Sequence, residues 1–425
     1  MKRRARHKEF RISDFGFRID GESPSGKIGD RKIGIPSPIV PAPTHALRAV
    51  GPQSEIRNPK SEIGRWIILV SVTLALLAMP PATPSRADEE DADFLAKYAK
   101  SVEESVDRAL TFLVSKQLPE GCWTGAAGGR STALTSLSVM AFLAKGHTPG
   151  NGPYAQVLNK GIDFVMAGQQ PNGLLSVGSC SGPLGYDHAI STLMLSEVSG
   201  MLDPQRQKKL DKVLAQAVRL LLASQAMTKQ PAHKGGWRYQ VATPDSDISC
   251  TGWALMALRS ARGNGAAVPK EAIDQAVEFI LRCQEPGADK KKESEPAGFC
   301  YQPGGQPGAS RTGTAVLALE LCGQHHAKPA LQGGEYLLAH PVRTFGENFF
   351  YYTMYYGSQA TFQLGGKYWK AFAPHMMEMM LKYQQKDGSW PQGSGSEAQA
   401  GVNYSTAMSV LAITVSYRQL PIYQR

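Results

Sequence analysis

Asp245 and Asp247 are the paired carboxylates of this chain that stand directly ahead of an apolar helical run, Ile248 to Leu258. Two kinds of chemistry fit a carboxylate in that place. At a helix start it accepts hydrogen bonds from first-turn N–H groups that have no intrahelical partner, and so acts as a cap. In an apolar pocket, desolvation and the second carboxylate would raise its pKa, which is what a group that delivers a proton to a substrate requires. Both readings stay open from the residues alone, with Asp247 the proton donor in the second and Asp245 its partner. Trp253 lies shortly beyond the pair, and the run Phe349 to Tyr356 sets Tyr352 and Tyr356 four residues apart. That spacing puts both rings on one helix face. Trp253, Tyr352 and Tyr356 are therefore expected either to line an apolar pocket or to pack helix on helix.

The segment that positions the aspartates is Lys234 to Arg259, in which Gly235-Gly236-Trp237 makes a turn and Pro244 leads into a helix. The same order recurs. A helix ending in Gln precedes a Gly-rich turn with an aromatic or large apolar residue, and a second helix opens with small hydroxyl residues. Gln117, Gln170, Gln225, Gln284 and Gln385 mark the units. They recur every roughly 55 residues, with one double interval. The unit inside that interval keeps Tyr336-Leu337-Leu338 but has neither the Gln nor the Gly-x-Trp turn, and is assigned by spacing. One helical hairpin cannot bury both of its apolar faces, so six units over residues 88–425 must stack into a single domain. Periodicity does not decide between an open superhelix and a closed ring.

The formal charge of +10 on 425 residues is concentrated at the amino terminus, since fifteen Lys and Arg but seven Asp and Glu precede Asp88. The body is nearly neutral, which argues against nucleic acid as its partner. Residues 1–64 read as a disordered leader or as translated upstream sequence. Residues 65–87 carry an apolar run from Trp66 to Met79 and end in Ser85-Arg86-Ala87. This is expected to be a signal peptide cleaved after Ala87, or an uncleaved anchor touching the membrane through residues 66–82. Either way the body is exported, to the periplasm or cell surface. The six cysteines include no Cys-x-x-Cys pair, and no bridge is expected. His188, His325 and His326 have no ligand spacing and are expected in turns or at the surface.

The Gln followed by Gly-x-Trp resembles the repeat of terpenoid cyclases and protein prenyltransferase beta subunits, over roughly residues 93–425. That resemblance implies an all-α fold, an α/α toroid of six helical hairpins around a central apolar cavity. PDSDIS at 244–249 resembles the acidic motif of squalene-hopene-type cyclases, although Ile248 stands where a further Asp belongs. The prenyltransferase zinc pattern has Asp247 in place but Ser249 at its Cys position, Cys250 one place off and a region near Arg311 where its His belongs. No metal and no cofactor are therefore expected. Two functions follow as expectations: an exported cyclase-like or transferase-like protein acting on or binding an isoprenoid or other lipid, or a non-catalytic toroid that holds a peptide or protein partner.

Overall fold

A computed structural model describes residues 86–178 and 182–424. The leader and the apolar run up to residue 85, expected to be a signal peptide or an anchor, lie outside these residues, as does Cys180. No described helix is long and apolar enough to cross a membrane.

Twelve α-helices alternate between an outer and an inner set among the described residues. The outer helices are α1 (Arg86–Lys116), α3 (Ala155–Ala167), α5 (Pro204–Gln225), α7 (Lys270–Arg282), α9 (Lys328–Ala339) and α11 (Gly366–Tyr383). The inner ones are α2 (Thr132–Ala144), α4 (Ala189–Glu197), α6 (Ile248–Gly263), α8 (Ala309–Leu321), α10 (Phe350–Leu364) and α12 (Gly401–Ile413). Every residue of α2 is buried, whereas α7 buries one apolar stripe of Ala272, Ile273, Ala276, Val277, Phe279 and Ile280. Helices that are covered all round and helices with one dry face are what a two-layered ring demands. Each inner helix packs on the next, and α12 packs back on α2. The stack is a closed toroid of six hairpins. The only strands among the described residues are Trp123–Thr124 and Arg130–Ser131, a two-residue pairing at the start of α2.

The repeated Gln is the stitch between units. Gln117 Nε2 donates to Gly121 O in its own turn and to Val157 O on the next outer helix, both at 2.9 Å. Gln225 does the same with Gly235 O and Ala272 O at 2.8 Å. In two units the structure corrects the reading of the sequence by one residue. The stitch is made by Gln169, to Gly173 O and Val213 O, and by Gln384, to Gly388 O and Ser105 O. Gln384 and Gly388 thus tie the last unit to the first and complete the ring. The turn glycines have positive φ and press on the neighbouring helix: a Cβ on Gly388 would lie 2.3 Å from Arg108 O, and one on Gly235 2.1 Å from Gln275 O. The aromatic residue after the turn is buried, and its backbone N–H donates to a threonine on the inner helix: Trp123 to Thr135, Trp237 to Thr251, Phe299 to Thr312 and Trp390 to Thr406.

In the second unit that threonine is replaced by His188, which is 0% exposed. This corrects the expectation of a surface or turn histidine. Its Nδ1 accepts from Leu175 N at 2.9 Å, leaving Nε2–H to donate to Ala217 O at 3.1 Å. Burial lowers its pKa to about 4, so the ring is neutral and serves as a hydrogen-bond bridge between hairpins. His325 is exposed and His326 sits in a positive-φ turn. Cys122, Cys250, Cys283, Cys300 and Cys322 are free thiols.

Candidate functional site: the mouth of the ring

The amino-terminal ends of the inner helices converge on one mouth of the ring. There, the first two turns of five inner helices bring side chains together: Leu134 and Leu137 from α2, Ile190 from α4, Trp253 from α6, Tyr352 from α10 and Tyr404 from α12. Tyr186, just ahead of α4, completes the wall. The space they enclose is about 20 Å³. That is room for about one water molecule, because a single water needs roughly 10–15 Å³ by the same measure.

Aromatic side chains fill the axis below this pocket. Trp253 stacks on Tyr355 with centroids 5.8 Å apart and meets Tyr356 edge-on at 5.4 Å, while Tyr356 lies 4.6 Å from Tyr352. Trp253 and Tyr352 therefore line the pocket, and Tyr356 supports both from beneath it. Burial raises the pKa of the Tyr352 phenol, which stays neutral in this wall. Tyr355 exchanges a 2.7 Å hydrogen bond with Tyr423 on the short 3₁₀ turn Pro421–Gln424. Ile422, whose N–H donates to buried Glu197 at 3.0 Å, anchors that turn. The far end of the axis is thus closed by the chain's own last described residues.

Asp245 and Asp247 are beside this mouth and do not line the pocket. Asp247 is the N-cap of α6: its Oδ1 accepts from Cys250 N at 2.9 Å, and its backbone N–H donates to Trp237 O. Its Oδ2 accepts from Arg238 Nη1 at 3.0 Å. The same guanidinium reaches Asp245 through Nε at 3.2 Å, so one cation bridges the two carboxylates. Gln302 Nε2 donates to Asp245 at 3.1 Å. Arg238 also donates to Tyr301 OH at 2.8 Å and lies over the Tyr239 ring, 4.4 Å from its centroid. Burial raises the Asp247 carboxyl, while Arg238 and the Cys250 N–H oppose that rise. A carboxyl that must hold a proton for an alkene is poorly served by a guanidinium against its oxygen.

A different carboxylate reaches the pocket wall. Glu397 is 0% exposed and accepts from Tyr351 N at 3.2 Å, Tyr352 N at 2.9 Å and Tyr404 OH at 3.1 Å. Burial pushes its pKa up to about 7, against those hydrogen bonds. It caps α10 from the following unit, because Phe349, at the N-cap position, has φ 62° and offers no side-chain cap. The clue in the sequence is negative: the fifth unit has no Gly-x-Trp turn of its own, so another segment must close its inner helix.

Among the described residues, no group of three or more His, Cys, Asp and Glu side chains is gathered as a metal site. No family model matches this chain, and no curated protein matches it in sequence. Solved structures do match in fold. An α-1,6-mannanase of Salegentibacter sp. HEL1_6 superposes with a TM-score of 0.53 at 11% identity, over 74% of this chain and 99% of that one. A cellobiose 2-epimerase from Bacillus thermoamylovorans gives 0.52 at 13% identity, over 76% and 99%. A D-mannose isomerase gives 0.51 at 12% identity, over 79% and 100%. Likeness at this level of identity concerns fold alone, and it does not single out the cyclase or prenyltransferase family. The chain has the α/α toroid fold.

Proposed function

We propose that this protein is a non-catalytic α/α toroid, an exported repeat scaffold that binds a peptide or protein partner on its rims. The observation that carries this reading is the filled axis. The pocket at the mouth holds about 20 Å³, against the roughly 300–1,000 Å³ of sites that enclose a small-molecule ligand. Trp253, Tyr352 and Tyr356 then act as the packed centre of the inner ring, and Asp245 and Asp247 fix the turn into α6 through Arg238. Export rests on the sequence before residue 88.

A second reading is favoured by the wholly apolar lining at the mouth, where Leu134, Leu137, Ile190 and Trp253 would receive the end of an isoprenoid or other lipid. In that reading Tyr352 contacts the ligand and Asp247 or Glu397 supplies the carboxylate. Incubation of purified protein with squalene and shorter isoprenoids separates the two. The scaffold reading expects neither product nor stoichiometric bound lipid. Product formed by the wild type and lost in Asp247→Asn or Glu397→Gln would replace it with the enzymatic reading.

A further inference from the structure

We propose that the rim of the toroid carries a docking groove for an acidic peptide segment, built from two neighbouring clefts between consecutive outer helices. This rests on the scaffold reading and gives its partner a chemistry. The larger cleft, about 620 Å³, lies between the carboxy-terminal end of α5 and α7, beside the Gly235 turn. Lys229, Lys234 and Arg282 line it, with Glu278 the one acidic side chain on its wall. A second cleft of about 310 Å³ occupies the corresponding place one unit earlier. There Gly173 rests on Gln216 of α5 as Gly235 rests on Gln275 of α7. Arg219 lines this cleft and no acidic residue does. Stacked repeats thus present the same recess at successive positions along one rim, the arrangement that lets a repeat protein take an extended chain.

The charge on this rim is incompletely compensated. Lys229 is 6% exposed, and its ammonium donates to Thr243 O and Asp245 O at 3.2 Å without an ion pair among the described residues. Burial lowers its pKa, with Asp245 and Asp247 opposing from beyond ion-pair distance. A nearly buried ammonium held by carbonyls gains from an anion brought to it. Arg282 is fixed in place by donating to Ala232 O and Lys234 O, which presents its cation without freezing a mobile side chain on binding. Met227, 45% exposed beside the larger cleft, adds an apolar contact that a peptide side chain uses and a small inorganic anion does not. Nucleic acid is disfavoured because the near-neutral body lacks the broad positive field that phosphate backbones select.

The test is fluorescence anisotropy with a labelled peptide of about twelve residues alternating Glu and Ala, titrated with the folded protein at low and high salt. The rim variant is Arg219→Glu with Lys234→Glu, two side chains that make no hydrogen bond or ion pair among the described residues. The control is Lys208→Glu with Lys209→Glu, both exposed on the opposite half of α5. Wild type and control should bind alike, the rim variant at least about tenfold more weakly, and salt should weaken binding. Unmeasurable binding to wild type, an equal loss in both variants, or no loss in the rim variant would overturn the groove. Inorganic phosphate competing as well as the peptide would overturn the peptide assignment in favour of a small-anion site. None of these outcomes restores isoprenoid chemistry, which is read separately by turnover, so failure of the groove and failure of the scaffold reading remain distinct.

Discussion

Glu397 accepts the backbone N–H of Tyr352 across 2.9 Å, so a carboxylate in the sixth unit closes the inner helix of the fifth. The same Glu397 oxygen receives Tyr404 OH, and both tyrosines face the mouth pocket. Replacing Glu397 with Ala strands two buried N–H groups and a hydroxyl, and is expected to cost on the order of 3 kcal/mol. Its raised pKa has a signed consequence. Between the ordinary carboxylate value and about 7 the folded state holds a proton that the unfolded state has released. Stability should therefore fall as pH rises through that window and level off above it. Denaturant unfolding of wild type and Glu397→Gln from pH 5 to pH 8 checks this, since the glutamine variant lacks that slope.

His188 imposes the opposite slope on the acid side. Its folded pKa is lowered to about 4 from 6.5 by burial, so the unfolded chain binds a proton that the native ring refuses. Stability is full above 6.5 and is lost as pH falls towards 4, by roughly 3 kcal/mol at the limit. His188→Thr restores the residue type that accepts the turn N–H in four other units, and should remove this acid sensitivity while keeping the bond to Leu175. Equal acid sensitivity in the two proteins would mean that His188 is not the group responsible.

Asp247→Asn is expected to be more costly than a plain cap substitution. Asn caps a helix about as well as Asp, at a difference of a few tenths of a kcal/mol, but it leaves Arg238 with Asp245 alone. Breaking a buried pair in this way costs about 3 kcal/mol. Asp245 is 31% exposed, so Asp245→Asn should cost no more than about 1 kcal/mol. Thermal unfolding of the two variants tests the order, and equal destabilisation would argue against the Arg238 bridge.

Ring closure can be tested at Gly388. Alanine there is strained by φ 90° and would drive a Cβ to 2.3 Å from Arg108 O, so it must push α1 away. A loss of at least about 2 kcal/mol is expected, against about 1 kcal/mol for Gly128→Ala, where φ is also positive but nothing lies within 4 Å. Limited proteolysis should release α1 from Gly388→Ala before it does so from Gly128→Ala.

Six hairpins, their Gly-aromatic turns and the start of α6 at Asp247 were legible in the sequence, because each depends on residues within one unit or on recurrence between units. Gly252 in α6 has a tertiary reason, because a Cβ there would lie 2.3 Å from Thr314 Cγ2 on the next inner helix. Closure into a ring was implied by the resemblance to terpenoid cyclases but was not legible in the periodicity, since curvature accumulates over all units and is completed by contacts such as Gln384 to Ser105, far apart in the chain. The choice of Gln169 over its neighbour was equally hidden, because two adjacent glutamines differ only in the direction they face. Glu397 had no motif to announce it, as a cap supplied by another unit leaves no local spacing. The filling of the axis was the most consequential of these decisions. Tyr352, Tyr356 and Trp253 have the same types and spacing whether they line a cavity or occupy it, and only the distance between facing helices decides which.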